Sequence, residues 1–539
     1  MNTGFSFLDY AIFTAYGLLI IAVGLWVSRN KKGESKTAQD YFLASKALPW
    51  WAIGASLIAA NISAEQFIGM SGSGFAIGLG IASYEWMAAI TLILVGKFFL
   101  PIFLEKKIYT MPQFLEKRFD NRVRTILAVF WLMVYIFVNL TSVLYLGALA
   151  LNTILEIPLM YGIIGLALFA VIYSIYGGLS AVAWTDVIQV IFLIGGGLLT
   201  TYIALDAVGA GEGVISGAKV VFHSASEKFD MILSKDNPYF SDLPGIGVLV
   251  GGLWVANLYY WGFNQYIIQR ALAAKSIREA QRGVIFAGYL KILIPFIVVI
   301  PGIAAHVIVG NPELLASLGN GIAENIPSVE HADKAYPWLL SLLPYGFKGL
   351  AFAALTAAIV SSLASMLNST STIFTMDIYS QLVKKESSDK KQIAIGRISA
   401  IVALAIAVFI APQLKNLDQA FQYIQEYTGM VSPGILAIFL IGLFWKKGTA
   451  NAALWGAVLT LPVAMFFKFV FVEMPFLNQM GYSFLVVLFV MILISRLETK
   501  EADPKGIILS KSLFETGTKF NVFAIGITTI VTVLYILFW

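Results

Sequence analysis

Apolar runs long enough to cross a lipid bilayer as helices recur along the whole of this 539-residue chain. Hydrophobic residues make up 59% of the sequence and charged residues 12%, about half the charged fraction of a soluble globular protein. Only helices and closed barrels satisfy every backbone hydrogen bond inside a bilayer, and continuous apolar runs of this length favour helices. The sequence therefore predicts an all-α polytopic membrane protein that forms one transmembrane domain over residues 1–539.

About fourteen spans are expected when each crossing takes roughly 20 residues. They lie near 7–28, 47–71, 76–104, 123–149, 157–176, 180–205, 245–268, 281–309, 344–381, 393–412, 418–444, 449–471, 478–495 and 520–538. No basic region precedes the first run, so we expect it to remain as a helix and not to be cleaved as a signal peptide.

Basic residues concentrate in alternate loops of this arrangement. The loops rich in Lys and Arg are 29–46, 106–124, 270–282, 384–397, 446–447 and 496–519. They fall on one side of the membrane, whereas the longer segments 206–244 and 310–343 fall on the other. Because basic loops stay in the cytoplasm, we expect both termini on the extracytoplasmic side. The net charge of +5 reflects this orientation and does not indicate a nucleic-acid partner.

Polar residues crowd into the second expected span, in the stretch 52–72, AIGASLIAANISAEQFIGMSG. Asn61, Ser63, Glu65 and Gln66 lie at mid-bilayer depth if this segment spans, where polar groups are costly unless they face a cavity or a partner. The small residues around them allow the helix to open locally, which would free carbonyls for an ion. The stretch is a candidate ion and solute site; a polar face buried against neighbouring helices is the alternative.

Other expected spans also contain polar residues. They are Glu85, the cluster Asn257, Tyr259, Tyr260 and Trp261, Lys291, the Ser/Thr ladder from Ser361 to Thr370, and Gln425 with Glu426. Lys291 could instead pair with Glu85, Glu65 or Glu426, the ladder could bond to its own helix, and the aromatic cluster could be packing or an interfacial belt. Taken together, these groups suit an uncharged polyhydroxylated solute, because a sugar needs many hydrogen-bond partners and a flat apolar surface.

Five stretches of the chain resemble the sodium/solute symporter family, in particular its bacterial sodium/galactose (sodium/glucose) cotransporters. They are YFLASKALPWWAIGASLIAANISAEQFIGMSGSG, YSIYGGLSAVAWTDVIQV, GGLWVANLYYWGFNQYIIQR, AAIVSSLASMLNST and AFQYIQEYTGMVSPGILA. The resemblance runs nearly end to end and implies a LeuT-like core of two inverted five-helix repeats, about 47–444, with a broken first core helix. Peripheral helices would lie at 7–28 and about 449–538.

The resemblance implies sodium-coupled import of a hexose, galactose or glucose, by alternating access across a bacterial inner membrane. The sugar ligands of the family fall on Gln66, Glu85, Asn257, Lys291 and Gln425, and its inner-gate aromatic falls on Tyr260. Its outer gate falls on Met70, Tyr84 and Phe421. Its sodium site falls on the carbonyls of Ala59, Ile62 and Ala358 and the hydroxyls of Ser361 and Ser362. Asn61 matches a coupling position, and Asp186 matches an acidic residue that helps sodium to leave.

Several alternatives remain open at this stage. Ala88 stands where galactose-type sites can carry a serine, so the preferred hexose is undetermined. A sodium symporter for sialic acid, proline or a vitamin is the second interpretation. The motif Gly69-Met70-Ser71-Gly72 suggests a remote third, an intramembrane serine protease. The chain has no cysteine and no phosphate-binding loop, so we expect no cofactor beyond Na⁺ as coupling ion. Its expected partners are the sugar, Na⁺ and the lipid bilayer, with no obligatory protein partner.

Overall fold

The computed structural model describes residues 5–28, 47–108, 110–318, 326–383, 388–416, 420–499 and 501–539. Within these ranges the regular structure is helical, and the one β contact is an isolated parallel bridge between Leu48 and Ala274. Helices satisfy their own backbone hydrogen bonds, which explains why so apolar a chain adopts them. The expected all-α fold is confirmed.

The helices fall into two groups along the chain. The first group is α1 Phe7–Ser28, α2 Trp50–Asn61, α3 Ser71–Ala76 (continuing a π-helical turn, Glu65–Met70), α4 Leu79–Glu105, α5 Met111–Arg118, α6 Asn121–Leu155, α7 Leu159–Val208 and α8 Val214–Ser224. The second group is α9 Ile246–Val250, α10 Gly252–Phe263, α11 Gln265–Leu272, α12 Ile277–Gly310, α13 Pro312–Ser317, α14 Ala335–Leu340, α15 Phe347–Val383, α16 Asp389–Lys415, α17 Ala420–Gly429, α18 Ser432–Phe444, α19 Ala450–Val470, α20 Phe476–Glu498 and α21 Thr518–Leu537.

Fewer helices than fourteen pass a simple test for a membrane span. In the described residues 10 helices are long and apolar enough to cross, or 11 if α17 and α18, bent by 49° at their junction, form one span. The exact count of fourteen is therefore not confirmed. The three remaining expected spans, near 47–71, 157–176 and 245–268, correspond to interrupted helices or to the first part of α7.

Helix α7 differs from the prediction. It is one helical run of 50 residues, whereas the sequence predicted two spans separated near 177–179. The two glycines at this point do not end the helix, because glycine is tolerated inside membrane helices. A straight helix of this length would measure about 75 Å, more than twice the thickness of the bilayer core. The expected interruption is wrong, although the run is long enough for two crossings.

Both ends of the chain lie on the face that carries the two long connecting segments. Near the start of α1, Asp9 Oδ1 accepts hydrogen bonds from the amides of Gly346 and Gly349 at 2.8 and 2.7 Å, at the start of α15. At the other end, the carbonyl of Phe538 accepts from the amide of Met231 at 2.8 Å, within the segment 206–244. An even number of crossings follows, as expected.

Three arginines that the sequence analysis counted in the basic loops are buried. Arg118 donates to three carbonyls around the end of α18, Arg124 is bonded to Asp377, and Arg270 lies beside Asp186. A charge can be buried at tolerable cost when it is paired and hydrogen-bonded in this way. The assumption that these three charges lie in solvated loops is therefore wrong.

Small residues bring the second span close to its neighbours. A Cβ at Gly54 would lie 2.8 Å from the carbonyl oxygen of Gly283, so α2 and α12 approach through their backbones. A Cβ at Gly72 would lie 2.8 Å from the backbone of Ala332. Close approach of this kind is the usual role of glycine between membrane helices.

Candidate functional site

The second span is broken at its polar residues. Helix α2 ends at Asn61, and Ile62 has extended backbone angles, φ −81° and ψ 107°. The amide of Ser63 donates to Oε1 of Gln66 at 2.9 Å. In an uninterrupted helix the same amide would donate to the carbonyl of Ala59. The break therefore releases a carbonyl inside the protein, which is the local opening that the sequence predicted.

A polar cavity lies next to this break. All six residues expected to contact the sugar line it: Gln66, Glu85, Asn257, Tyr260, Lys291 and Gln425. They come from the turn before α3 and from α4, α10, α12 and α17. The cavity volume is about 50 Å³, which is room for a few water molecules. A solute as large as a sugar therefore requires the lining side chains to move apart.

Lys291 is the centre of the hydrogen bonding in this cavity. Its Nζ donates to the carboxylate of Glu85 on α4 and to the side-chain oxygen of Asn61 at the end of α2. The same Nζ lies 5.1 Å from the centroid of the Trp261 ring. A buried ammonium needs such partners, because its hydration is lost. Of the three acids that the sequence offered as partners, Glu85 is the one that contacts Lys291.

The other two acids have different surroundings. Glu426 forms an ion pair with Lys468 on α19 at 2.9 Å. Glu65 lines the cavity and is buried, and its Oε1 has no hydrogen-bond partner among the residues that the structure describes. A buried acceptor without a partner is costly, so this oxygen is available to a donor from a solute. The sequence analysis noted Glu65 in the polar stretch but assigned it no role.

A chain of hydroxyl groups connects the cavity to a second helix break. The Tyr260 hydroxyl accepts from Asn61 Nδ2 at 2.9 Å and lies 2.5 Å from the Tyr266 hydroxyl. The hydroxyl of Tyr135 accepts from the amide of Tyr266 at 3.3 Å and donates to Asn264 at 2.5 Å. Asn264 has extended backbone angles and separates α10 from α11. Tyr260, the expected inner gate, is thus held between two interrupted helices.

Two of the three expected outer-gate residues meet over the cavity. The rings of Tyr84 and Phe421 both line it and pack edge to face, with centroids 5.2 Å apart. Met70 is buried but is not among the residues that line the cavity. Ala88, the position that departs from galactose-type sites, does line it.

The residues expected to bind sodium lie where the break meets α15. The Ser362 hydroxyl donates to the carbonyl of Ala60 at 3.1 Å, and Ser361 donates to Asp186 Oδ1 at 2.5 Å. Ala358 precedes them by one turn, and the released carbonyl of Ala59 belongs to the facing end of α2. Carbonyl and hydroxyl oxygens are suitable ligands for a hard cation.

The remainder of the Ser/Thr ladder has the alternative role that the sequence left open. Ser365 donates to the carbonyl of Ser361, and Thr372 donates to that of Asn368, each at 2.7 Å. These bonds run back along α15 itself. Only the first part of the ladder therefore reaches across to other helices through its hydroxyls.

Asp186 is part of a buried charged cluster that the sequence analysis recognised only in part. Its carboxylate accepts from the hydroxyls of Ser56 and Ser361, each at 2.5 Å, and lies 3.7 Å from Nη2 of Arg270. Arg270 also donates to Ser56 at 3.0 Å and to the carbonyl of Tyr266. The sequence placed Arg270 in a loop; the signal that could have identified it is the carboxylate of Asp186, which needs a cation inside the membrane.

The protease motif has no catalytic surroundings. Among the residues that the structure describes, Ser71 Oγ has no hydrogen-bond partner, whereas a nucleophilic serine needs a general base. His306 packs its ring against Phe75, with centroids 5.3 Å apart. The glycines of the motif allow close packing, as the contact of Gly72 with Ala332 illustrates.

Comparison with known proteins identifies the family. Residues 41–460 match the sodium:solute symporter family. The chain is 63% identical over 538 residues to the sodium/glucose cotransporter of Vibrio parahaemolyticus, covering 99% of each protein. It is 36% identical over 464 residues to sodium/myo-inositol cotransporter 2 of Homo sapiens, covering 84% of this chain and 68% of that one.

A solved structure supports the same assignment. A Na⁺-coupled sialic acid symporter in its substrate-bound outward-open state superposes with a TM-score of 0.81 and 26% identity, covering 94% of this chain and 100% of that one. This likeness confirms the expected LeuT-like fold. The relatives are transporters and not enzymes, so the protease alternative is wrong. Together with the broken helix and the polar cavity, these matches establish that the chain belongs to the sodium:solute symporter family.

Proposed function

We propose that this protein is a sodium-coupled symporter that imports a hexose, glucose or galactose, by alternating access. The observation that carries the proposal is the contact between the polar cavity and the broken end of α2. Ser63 and Gln66 join the two, because the amide released from the helix bonds to a side chain that lines the cavity. The 63% identity to a sodium/glucose cotransporter supports a sugar as the solute.

In this proposal the sugar hydroxyls bind Gln66, Glu85, Asn257, Lys291 and Gln425, and the sugar ring stacks on Tyr260. The cavity offers donors, acceptors and aromatic faces together, which is the combination that a sugar needs. Met70, Tyr84 and Phe421 close the outer side. Displacement of Tyr260 opens the inner side and requires its hydrogen bonds to Asn61 and Tyr266 to break.

Sodium binds between α2 and α15 in the proposed mechanism. Its ligands are the carbonyls of Ala59, Ile62 and Ala358 and the hydroxyls of Ser361 and Ser362. An ion at this position holds the broken end of α2 against α15 and favours the outward-open state. Asp186, which is bonded to Ser361, offers the ion a carboxylate on its way to the inner side.

One sodium ion per sugar supplies enough energy for accumulation. Moving one charge through about 100 mV yields about 2.3 kcal/mol. A tenfold sodium gradient adds about 1.4 kcal/mol. The sum, about 3.7 kcal/mol, supports a sugar gradient of several hundred-fold.

We further propose that the protein resides in a bacterial inner membrane with both termini on the extracytoplasmic side. The two ends lie on the face of the long segments 206–244 and 310–343, opposite the basic loops. The positive-inside rule places the basic loops in the cytoplasm.

A symporter for sialic acid is the second candidate, because the structural neighbour transports that solute. A carboxylate substrate would need a cation, and Lys291 is the cation that lines the cavity. Its ammonium already contacts Glu85 and Asn61. An anion would therefore have to displace or oppose the Glu85 carboxylate, which favours a neutral sugar.

Counterflow in liposomes distinguishes the candidates. The purified protein is reconstituted with internal unlabelled solute, and uptake of labelled glucose, galactose, myo-inositol, sialic acid and proline is measured with and without Na⁺. We expect sodium-dependent exchange of glucose or galactose. Exchange of sialic acid or proline alone would overturn the hexose assignment, and exchange without Na⁺ would overturn the coupling.

A further inference from the structure

A groove lies at the surface where the first turns of α12 and α21 meet the start of α2. Its volume is about 420 Å³. Its walls are apolar and aromatic, and Trp50 and Phe523 are 38% and 51% exposed along it, whereas Ile285 and Phe520 are buried at its base. The groove is therefore open to the surroundings of the protein and does not connect to the polar cavity through these residues.

Two basic side chains stand at this groove. Arg282 is 48% exposed and lies 3.4 Å from Glu279. The other carboxylate oxygen of Glu279 accepts from the amide of Trp50 at 2.8 Å, so this acid serves two partners. Lys519 is exposed and forms no ion pair within the described part of the chain. The charge at the groove is net positive.

Specific contacts fix the walls of the groove. The Tyr289 hydroxyl donates to the carbonyl of Phe523 at 3.0 Å, which joins α12 to α21. A Cβ at position 526 would lie 2.3 Å from the same hydroxyl, so Gly526 is required for this approach. The rings of Trp50 and Phe286 meet edge to face at 5.5 Å. The groove is thus a defined feature of the packing between three helices.

We propose that this groove binds one anionic phospholipid, with its phosphate at Arg282 and Lys519 and an acyl chain along the aromatic wall. The combination of a cationic end and an apolar wall is complementary to such an amphiphile. Helices α12 and α21 both begin here, so the cations lie at membrane-interface depth, and Trp50 and Tyr289 are residue types that favour this depth. This face carries the basic loops and so faces the leaflet whose anionic lipids attract Lys and Arg.

The test compares lipid binding by the full-length protein and by two charge-matched double variants. Retained lipid is measured by native mass spectrometry after titration with phosphatidylglycerol or phosphatidylcholine of identical chains. Arg282→Gln/Lys519→Gln removes both cations of the groove. Lys390→Gln/Lys391→Gln removes two exposed cations at the start of α16, on the same face but outside the groove.

We expect the wild type to retain phosphatidylglycerol in preference to phosphatidylcholine. The groove variant should bind phosphatidylglycerol about 30-fold more weakly, about fivefold per charge, whereas the control pair should remain close to wild type. Phe523→Ala should weaken both lipids, because it shortens the apolar wall. All four side chains changed at the two charged sites are exposed, so folding, checked by size exclusion, should persist.

Three results would overturn the inference. The first is equal retention of the two lipids by the wild type. The second is an equal loss in the groove variant and the control pair, which would indicate a general charge effect. The third is a co-purified membrane protein whose removal leaves the groove without lipid preference, which would assign the surface to a protein partner.

Discussion

Lys291, in the middle of α12, donates a hydrogen bond to Asn61, the last residue of α2 before its break. The same ammonium contacts Glu85, and the amide of Asn61 contacts the hydroxyl of Tyr260. The proposed sugar ligands, the inner gate and the broken helix therefore share one connected set of hydrogen bonds. Disturbance of any member reaches the others without an intervening layer of residues.

Removal of Lys291 should abolish transport by a route that can be separated from misfolding. Lys291→Ala leaves Glu85 buried without its cation, so we expect a loss of stability of about 3–5 kcal/mol together with the loss of sugar uptake. The double variant Glu85→Gln/Lys291→Gln has no unpaired charge and should melt at a higher temperature than Lys291→Ala. Sodium-driven uptake should nevertheless be absent. Wild-type uptake by the folded double variant would contradict the proposed sugar site.

Loss of the Ser362 hydroxyl should act on the ion and not on the sugar. Ser362→Ala removes one proposed ligand and the bond to the Ala60 carbonyl. At about 1 kcal/mol for such an interaction, half-maximal uptake should need about fivefold more Na⁺. Thr372→Ala is the matched control, because its hydroxyl bonds back along the same helix. An equal sodium dependence in the two variants would argue against an ion at this place.

The buried pair of Asp186 and Arg270 should show strong coupling in a double-mutant cycle. Arg270→Gln alone leaves Asp186 uncompensated, and we expect it to lower the free energy of unfolding by about 3–5 kcal/mol. Asp186→Asn/Arg270→Gln should lose clearly less than the sum of the two single variants. Melting temperatures of the purified proteins measure the effect. Additive losses would mean that the two groups do not compensate one another.

Asp242, in the segment 206–244, should make stability depend on pH. Burial, together with the nearby Glu426 carboxylate, raises the pKa of Asp242 from 3.8 to about 6. The folded protein therefore holds a proton that the unfolded chain has released between about pH 4 and 6, so folding is favoured at low pH and this contribution is lost as the pH rises through about 6.

We expect Asp242→Asn to melt at a higher temperature than the wild type at pH 7, and the difference to shrink at pH 5. Asp236→Asn, an exposed neighbour in the same segment, serves as control. A constant difference between the wild type and Asp242→Asn across this range would show that the carboxyl does not titrate there.

Ala88 should influence which hexose is preferred. It lines the cavity and is 1% exposed, so a serine hydroxyl at this position would be presented to the solute. One added hydrogen bond of about 1 kcal/mol should change the ratio of galactose to glucose uptake about fivefold. Competition between the two labelled sugars measures the ratio. Ala89→Ser, a buried neighbour outside the cavity lining, should leave it unchanged.

The sequence was most informative where the physics of the bilayer is least forgiving. Asn61 and Gln66 could be recognised because polar side chains at mid-membrane depth need a reason to be there. The pairing of Lys291 with Glu85 was one of three possibilities, and only the packing of α4 against α12 selects among them. A single sequence shows which charges need partners but not which helices meet.

Two misjudgements share a different cause. Arg270 follows an apolar run, and counting loop charges treats every such arginine as solvated, so its burial beside Asp186 was missed. Near 177–179 the adjacent glycines suggested a loop, but the helix continues through them. In both cases neighbouring helices decide the outcome: they supply a counter-charge in one place and support the backbone in the other.

The amide of Ser63 has two acceptors within its reach in principle, the side chain of Gln66 that it uses and the carbonyl of Ala59 that a regular helix would give it. A rotation of Gln66 toward a bound solute therefore changes what the end of α2 can offer to a cation. By thermodynamic reciprocity, a cation at that carbonyl must alter the affinity for the solute by the same factor. Cooperation between cargo and ion then needs no distant relay, since a single N–H arbitrates between them.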